Sequence, residues 1–241
     1  MAADRIVVLT GAGISAESGL ATFRGPGGLW EGHRLEEVAT PEAFRRDPGL
    51  VHRFYNARRR RLLERDVQPN PAHRALARLE AEWPGEVVLV TQNIDDLHER
   101  AGSRRLLHMH GELLRIRCEA CGQRRSCRED IDCTDACIAC GSAGTLRPDV
   151  VWFGEMPHGL ERIYEALSGC GLFLAVGTSG QVYPAAGFVE AVRASGAART
   201  IELNLEPSAV SRCFAERRTG PAARTVPALV DELLESAARQ G

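Results

Sequence analysis

The hydrophobic positions of this chain fall into short, dense runs. Five of them, at 6–10, 87–91, 105–108, 172–177 and 200–203, are largely apolar, as expected of strands buried on both faces of a parallel sheet. Segments 72–82 and 187–194 carry helical periodicity and separate some of these strands. Strands alternating with helices predict an α/β fold with a parallel sheet. Two stretches break the alternation: residues 25–83 read as mostly helical with Arg-rich faces, and residues 113–145 are rich in cysteine with weak periodicity. Both read as insertions that form a smaller lobe, leaving 1–24, 84–112 and 146–241 to the sheet domain.

Each strand runs directly into polar or glycine-rich sequence. The exits read Thr10-Gly11-Ala12-Gly13, Gln92-Asn93-Ile94-Asp95, His110-Gly111-Glu112, Gly177-Thr178-Ser179 and Asn204-Leu205-Glu206. In open α/β sheets ligands bind beyond the carboxyl ends of the strands, so five exits converge on one crevice. Gly11-Ala12-Gly13-Ile14-Ser15-Ala16 follows a strand and fits the G-x-G-x-x-[G/A] dinucleotide pattern, which lets backbone approach a pyrophosphate. The pattern's usual partner, an acidic residue ending a strand about 20 residues on, is missing. In its place comes a loop, Thr22-Phe23-Arg24-Gly25-Pro26-Gly27-Gly28-Leu29-Trp30. This disfavours an ordinary hydride-transferring dehydrogenase and suits a loop that folds over a bound cofactor. His110, at a strand tip before a glycine, is the candidate general base.

The 241 residues, 44% hydrophobic with a formal net charge of -2, suit one globular unit and give no sign of a nucleic-acid partner. No signal peptide or membrane-length apolar run is visible, so the expected location is the cytoplasm. There, eight cysteines point to metal or free thiols. Cys118-x2-Cys121 and Cys137-x2-Cys140, separated by 15 residues, have the spacing of a closed, structural zinc site. Cys127 and Cys133 lie inside that loop without a C-x2-C partner, and Cys170 and Cys213 read as small buried hydrophobes. All 30 basic residues are Arg. The absence of Lys rules out a Walker-type phosphate loop and any Schiff-base enzyme.

Taken in order, Gly11-Ala12-Gly13-Ile14-Ser15, Thr22-Phe23-Arg24-Gly25, Gln92-Asn93-Ile94-Asp95, His110-Gly111, the four cysteines, Val150-Val151-Trp152-Phe153-Gly154-Glu155, Gly177-Thr178-Ser179 and Asn204-Leu205-Glu206 resemble the sirtuin family. The resemblance implies a Rossmann-like sheet domain with a smaller helical and zinc-binding lobe. It also implies an NAD-dependent protein-lysine deacylase that releases nicotinamide and O-acyl-ADP-ribose, with His110 as base and one structural zinc. By the same resemblance the segment from Gly11 to Trp30 wraps the cofactor, with Arg24 in the flexible loop. Asn93 and Asp95, within Gln92–Asp95, line the nicotinamide pocket. Gly177, Thr178 and Ser179 contact phosphate or ribose, Asn204 with Leu205 and Glu206 the adenosine ribose, and Ala222 the adenine. Val151, Phe153 and Gly154, in the segment ending at Glu155, pair with substrate backbone as an added strand.

Two positions depart from much of the family: Thr22 stands where Asp is usual, and Ala21 where Pro is frequent. The branch that shares Thr22 includes the desuccinylase type. Helical spacing puts Val51, Tyr55, Arg58 and Leu62 on one stripe, and Tyr55-x-x-Arg58 is similar to the signature of sirtuins that remove succinyl and malonyl groups. The expected partners are acylated-lysine proteins or peptides, with no nucleic acid and no membrane, and the expected state is a monomer.

Overall fold

The computed structural model describes residues 5–22, 29–30, 32–196 and 198–240, with backbone alone at 29, 30 and 240. The chain opens with β1 (Arg5–Thr10), α1 (Ala12–Ala16), β2 (Leu29–Trp30) and β3 (His33–Arg34). Four helices follow, α2 (Leu35–Val38), α3 (Pro41–Arg46), α4 (Pro48–Leu62) and α5 (Pro71–Glu82). Then come β4 (Val87–Thr91), α6 (Leu97–Ala101), β5 (Leu106–His108), β6 (Gly111–Cys118), β7 (Arg124–Ser126) and β8 (Leu146–Val150). The chain closes with α7 (Leu160–Ser168), β9 (Cys170–Val176), α8 (Phe188–Ser195), β10 (Arg199–Asn204), β11 (Glu216–Thr219) and α9 (Ala222–Gln240).

Six strands form one sheet in the order β11-β10-β9-β1-β4-β5, and every pairing is parallel. This is the doubly wound order, whose switch point lies between β1 and β9. Alternate residues of β1 serve opposite faces. Ile6 and Val8 pack with α5 and α9, through Leu76, Leu79, Val226 and Val230. Val7 and Leu9 pack with α7 and α8, through Ile163, Phe188 and Val192. Both faces are covered, which is why β1 is apolar from Ile6 to Leu9. The edge strand β11 reads Glu-Arg-Arg-Thr, exposed at every second residue, and its sequence carries no apolar run that predicts a strand.

The helical insertion ends earlier than its sequence suggests. Helix α5, inside the 25–83 segment, places Ala72, Ala75, Leu76 and Leu79 in the sheet's core and so belongs to the large domain. Asn70 caps it, accepting the Ala72 amide at 2.9 Å, with Pro71 in the first turn. The cysteine-rich insertion is wider than 113–145. β6 begins at Gly111 and pairs antiparallel with β8, with β7 on its other edge, so residues 146–150 join the small lobe's sheet. That lobe has an aromatic-rich core around Phe44, Phe54, Tyr55 and Trp152 and a smaller one at Ile116, Ile131 and Leu146. No helix among the described residues is long and apolar enough to cross a membrane.

Candidate active site

The five strand exits do meet. A cleft of about 1500 Å³ runs between the lobes, lined by Gly11, Ala12, Gly13, Ser15 and Thr22 from the first exit and by Gln92, Asn93, Ile94 and Asp95 from the second. His110, Gly177, Thr178, Ser179, Asn204, Leu205, Glu206 and Ala222 line it too, as do Tyr55, Arg58, Val151, Phe153 and Gly154 from the small lobe. Ile14 does not: its side chain is fully buried in the sheet's core, and its carbonyl instead anchors the Asn70 amide at 2.7 Å. Phe23 and Arg24, and the side chain of Trp30, lie outside the described residues.

The glycines do something more local than the dinucleotide pattern suggests. The Gly13 amide donates to the Gly177 carbonyl at 2.9 Å, and a β-carbon on Gly13 would sit 2.7 Å from the Gly177 α-carbon. Gly177 itself has φ +63, in the left-handed region that favours glycine. The glycines thus let the β1 and β9 exits touch across the switch point and form the floor of the cleft. Asn204 closes it from β10, its amide donating to the Thr178 carbonyl at 2.6 Å.

Around Ser15 the polar groups are interlocked. Its hydroxyl donates to Asp95 Oδ2 at 3.0 Å, and Asn93 Nδ2 reaches the Gly11 carbonyl at 3.1 Å and Ser15 Oγ at 3.2 Å. Burial pushes Asp95 up to about 6, against the Leu97 amide and the Ser15 hydroxyl, which favour its charged form. An acid whose pKa is raised by folding contributes stability below its unfolded value and loses it as pH rises through the folded value. The change from 3.8 to about 6 therefore costs on the order of 1–3 kcal/mol above pH 6. Asp95→Asn is expected to make the NAD-free protein more resistant to urea at about pH 8, with the gap narrowing at about pH 5.5. A variant less stable than wild type at both pH values would show that the Asp95 hydrogen bonds outweigh its burial.

His110 projects from the β5–β6 junction. Its Nδ1 lies 3.0 Å from the Gln92 carbonyl. A carbonyl only accepts, so Nδ1 carries the proton and the neutral ring keeps its lone pair on Nε2. Burial lowers its pKa, the Gln92 carbonyl opposes this, and His158 adds to the lowering. His108 is engaged differently, with Nε2 at 2.7 Å from Glu99 and Nδ1 at 3.3 Å from the Asn93 carbonyl. Glu99, His108 and Glu112 come within 4.8 Å of one another, a grouping the sequence analysis did not single out.

The four cysteines of the C-x2-C pairs are gathered at one point. Cys118 and Cys140 sulfurs are 3.8 Å apart, Cys121 and Cys137 sulfurs 3.7 Å. Four thiolates bound tetrahedrally to zinc at about 2.3 Å would be separated by roughly 3.8 Å, so the set fits one structural zinc ion. Cys127 stays out of the cluster, its thiol turned to the Glu129 carbonyl at 3.3 Å.

Tyr55 and Arg58 share the cleft-facing side of α4, with Val51, Tyr55 and Leu62 buried. The Arg run divides three further ways. Arg60 pairs with Asp130 in solvent, and Arg61 holds Glu64, Asp66 and the Gly19 carbonyl. Arg59, unlike its solvated neighbour Arg60, is 1% exposed. Its guanidinium binds Asn56 at 2.8 Å and the carbonyls of Leu113 and Glu129 at 3.3 and 3.1 Å.

Segment 151–155 differs from a free strand edge. The amides of Val151, Trp152, Phe153 and Glu155 donate to His110, Glu155, Ala39 and Trp152 respectively, and the chain turns at Phe153 and Gly154. Substrate pairing there has to use other groups of the segment, such as its carbonyls. Trp152, expected only to contribute backbone to that segment, has a side chain that is 2% exposed and donates its indole N–H to the Tyr55 oxygen at 2.9 Å. The need of a buried Trp for an N–H partner is the signal that points to it.

A doubly wound parallel sheet, a cleft over its switch point and a four-thiolate lobe together define a dinucleotide-binding α/β protein with a zinc-stapled small lobe. The chain belongs to the Sir2 family, whose model matches residues 11–184. It is 57% identical over 234 residues to an NAD-dependent protein deacylase of Vibrio cholerae, covering 97% of this chain and 95% of that protein. Among solved structures it is similar to a Sir2 homologue in complex with NAD, at a TM-score of 0.85 and 39% identity, over 98% of this chain and 90% of the other. It is also similar to Sir2Af2 bound to a myristoylated histone peptide, at a TM-score of 0.75 and 32% identity, over 98% and 93%.

Proposed function

We propose that this protein removes acyl groups from protein lysine side chains in an NAD-dependent reaction that releases nicotinamide and O-acyl-ADP-ribose. We further propose that it acts on succinyl and malonyl groups faster than on acetyl. One observation carries the reading: His110, the Gln92–Asp95 exit and the Tyr55–Arg58 pair all line one cleft with the glycine floor of a dinucleotide fold. NAD, when bound, would supply an electrophilic ribose carbon for the acyl oxygen. The chain supplies the surroundings. Asn93 and Asp95, fixed by Ser15, shape the nicotinamide end. Gly177, Thr178 and Ser179 meet phosphate and ribose, while Asn204, Leu205, Glu206 and Ala222 meet the adenosine. His110 Nε2 accepts a proton from a ribose hydroxyl. The relatives support the same assignment: one is named an NAD-dependent protein deacylase, one is solved with NAD and one with a myristoylated histone peptide.

The acyl preference rests on α4. A succinyl group ends in a carboxylate, which a guanidinium binds in a bidentate fork and a phenol joins with a third hydrogen bond. Arg58 lies over the Phe54 ring at 4.9 Å and lines the cleft, where a succinyl group brings a carboxylate and an acetyl group brings none. Arg58→Met is expected to cost ~2–5 kcal/mol in kcat/KM for succinyl-lysine, the usual loss when one partner of a desolvated charge pair is truncated. Deacetylation should fall less. Kinetics on matched succinyl and acetyl peptides check this. Equal losses would make Arg58 structural, and a wild-type enzyme indifferent to succinyl-lysine would overturn the acyl assignment.

A further inference from the structure

The hydrogen bond between Trp152 and Tyr55 has a direction. An indole N–H only donates, so the Tyr55 oxygen accepts, and the phenol hydrogen is turned away from Trp152. Tyr55 is 1% exposed and lines the cleft. Its burial holds the phenol well above its ordinary pKa, so the group stays a donor at any pH at which the enzyme works. Accepting a hydrogen bond on one side also strengthens the O–H as a donor on the other.

Trp152 is itself held in place. Its amide donates to Glu155 Oε2 at 2.8 Å. Glu155 is gripped by Arg147 at 2.8 and 3.0 Å and by Arg117 at 2.8 Å. The Arg147 guanidinium lies over the indole, 3.1 Å from the ring centroid, and Arg147 is fully buried. Phe44 packs on the ring at 5.4 Å. A cation on the indole face binds it and draws electron density from the ring, which makes its N–H a better donor. A tryptophan serving as apolar filler needs none of these contacts.

We infer that Trp152 is a specificity-determining positioning residue, which orients the Tyr55 hydroxyl so that its hydrogen meets an acceptor at the far end of the acyl chain and thereby selects a carboxylate over a methyl group. The inference rests on the acyl assignment of Tyr55 and Arg58 made above. A carboxylate is acceptor-only, so a hydroxyl whose hydrogen is already aimed binds it without first losing rotational freedom.

Trp152→Phe retains an aromatic face for Arg147 and removes the N–H. The test measures kcat and KM of the zinc-loaded enzyme at saturating NAD, on succinyl- and acetyl-lysine peptides of one sequence. It compares wild type, Trp152→Phe, Tyr55→Phe and the double variant. The succinyl-to-acetyl ratio of kcat/KM is expected to fall about tenfold in Trp152→Phe, the worth of one hydrogen bond, and to do so through KM for the succinyl peptide. In the Tyr55→Phe background the same change should move the ratio by less than about twofold, because the two residues act as one unit. A loss equal on both substrates, or a full loss that persists without the Tyr55 hydroxyl, overturns the inference. A wild-type enzyme with no succinyl preference instead overturns the acyl assignment, and this is seen before any variant is made. Should Trp152→Phe fail to fold, benzothienylalanine at position 152, which replaces N–H by sulfur in the same shape, makes the same comparison.

Discussion

Replacing His110 with alanine is expected to lower turnover ~10²–10⁴-fold on every acyl-lysine peptide, the usual contribution of a general base, while the fold and NAD binding are retained. Retention follows from position. The ring hangs from one hydrogen bond to the Gln92 carbonyl, and the glycine floor and Asn204 lie on other strands of the sheet. The pH dependence has a defined sign. A general base works when neutral, and burial lowers the His110 pKa below that of an ordinary imidazole. The acid limb of kcat/KM should therefore have its midpoint below the ordinary imidazole value, leaving His110 deprotonated at neutral pH. Steady-state kinetics across pH, with thermal unfolding of the variant as control, check both statements. A His110→Ala enzyme with near wild-type rates would remove His110 from the chemistry. An acid limb well above pH 6.5 would assign the titration to another group.

Loss of any one zinc thiolate should be as damaging, through folding. The lobe around Cys118, Cys121, Cys137 and Cys140 has little apolar core besides Ile116, Ile131 and Leu146. Structural zinc in such small units contributes apparent free energies of about 10–16 kcal/mol at neutral pH. The damage would spread along a specific route. Asn56 clips α4 to the zinc-lobe loop, giving to the Ile131 carbonyl at 2.8 Å and receiving the Ile131 amide at 3.2 Å. Arg59 adds two more ties, donating to the Glu129 and Leu113 carbonyls. These residues sit one step from Tyr55 and Arg58 on the same helix, so a lobe unstapled from zinc loosens the α4 wall of the cleft. Cys→Ala at any of the four positions, or removal of the metal by a chelator, is expected to reduce soluble yield and thermal stability together with activity. Metal content by elemental analysis should be one zinc per chain in the active protein. A metal-free protein that is folded and fully active would overturn the assignment.

The large domain was legible in the sequence for a simple reason. Strands covered on both faces must be apolar at every position, so Val87–Thr91 and the strands beside it announce themselves without any partner being known. The change from apolar to polar at their exits marks the segments holding Asn93, His110, Thr178 and Asn204 as one crevice, while the roles of Asn93, Thr178 and Asn204 were implied only by the family resemblance. The cysteine spacing was equally direct, since two tight C-x2-C turns already bring sulfurs in pairs to a metal. β11 was not legible, because a charged edge strand lacks the apolar run that marks its neighbours.

Contacts between distant segments became visible only in the folded chain. Helical periodicity could place α5 on a helix but could not say against what. Its packing on the sheet, in one core with β1 and α9, moved it from the small lobe to the large one. Ile14 sits inside the cofactor motif, yet its side chain serves the core, because a motif describes a backbone path and the direction of each side chain depends on what that path packs against. The Arg run of α4 shows the same division most sharply. Four like residues in a row are equivalent in sequence, but a helix turns each through about 100°. Arg58 therefore faces the cleft, Arg59 the zinc lobe and Arg60 the solvent. Read alone, the chain offers a glycine-rich strand exit, a histidine at a strand tip, two C-x2-C pairs and a guanidinium on a helix stripe. Only the fold, by bringing Trp152 to within 2.9 Å of a hydroxyl 97 residues away, decided which of those groups are aimed and which merely hold the others still.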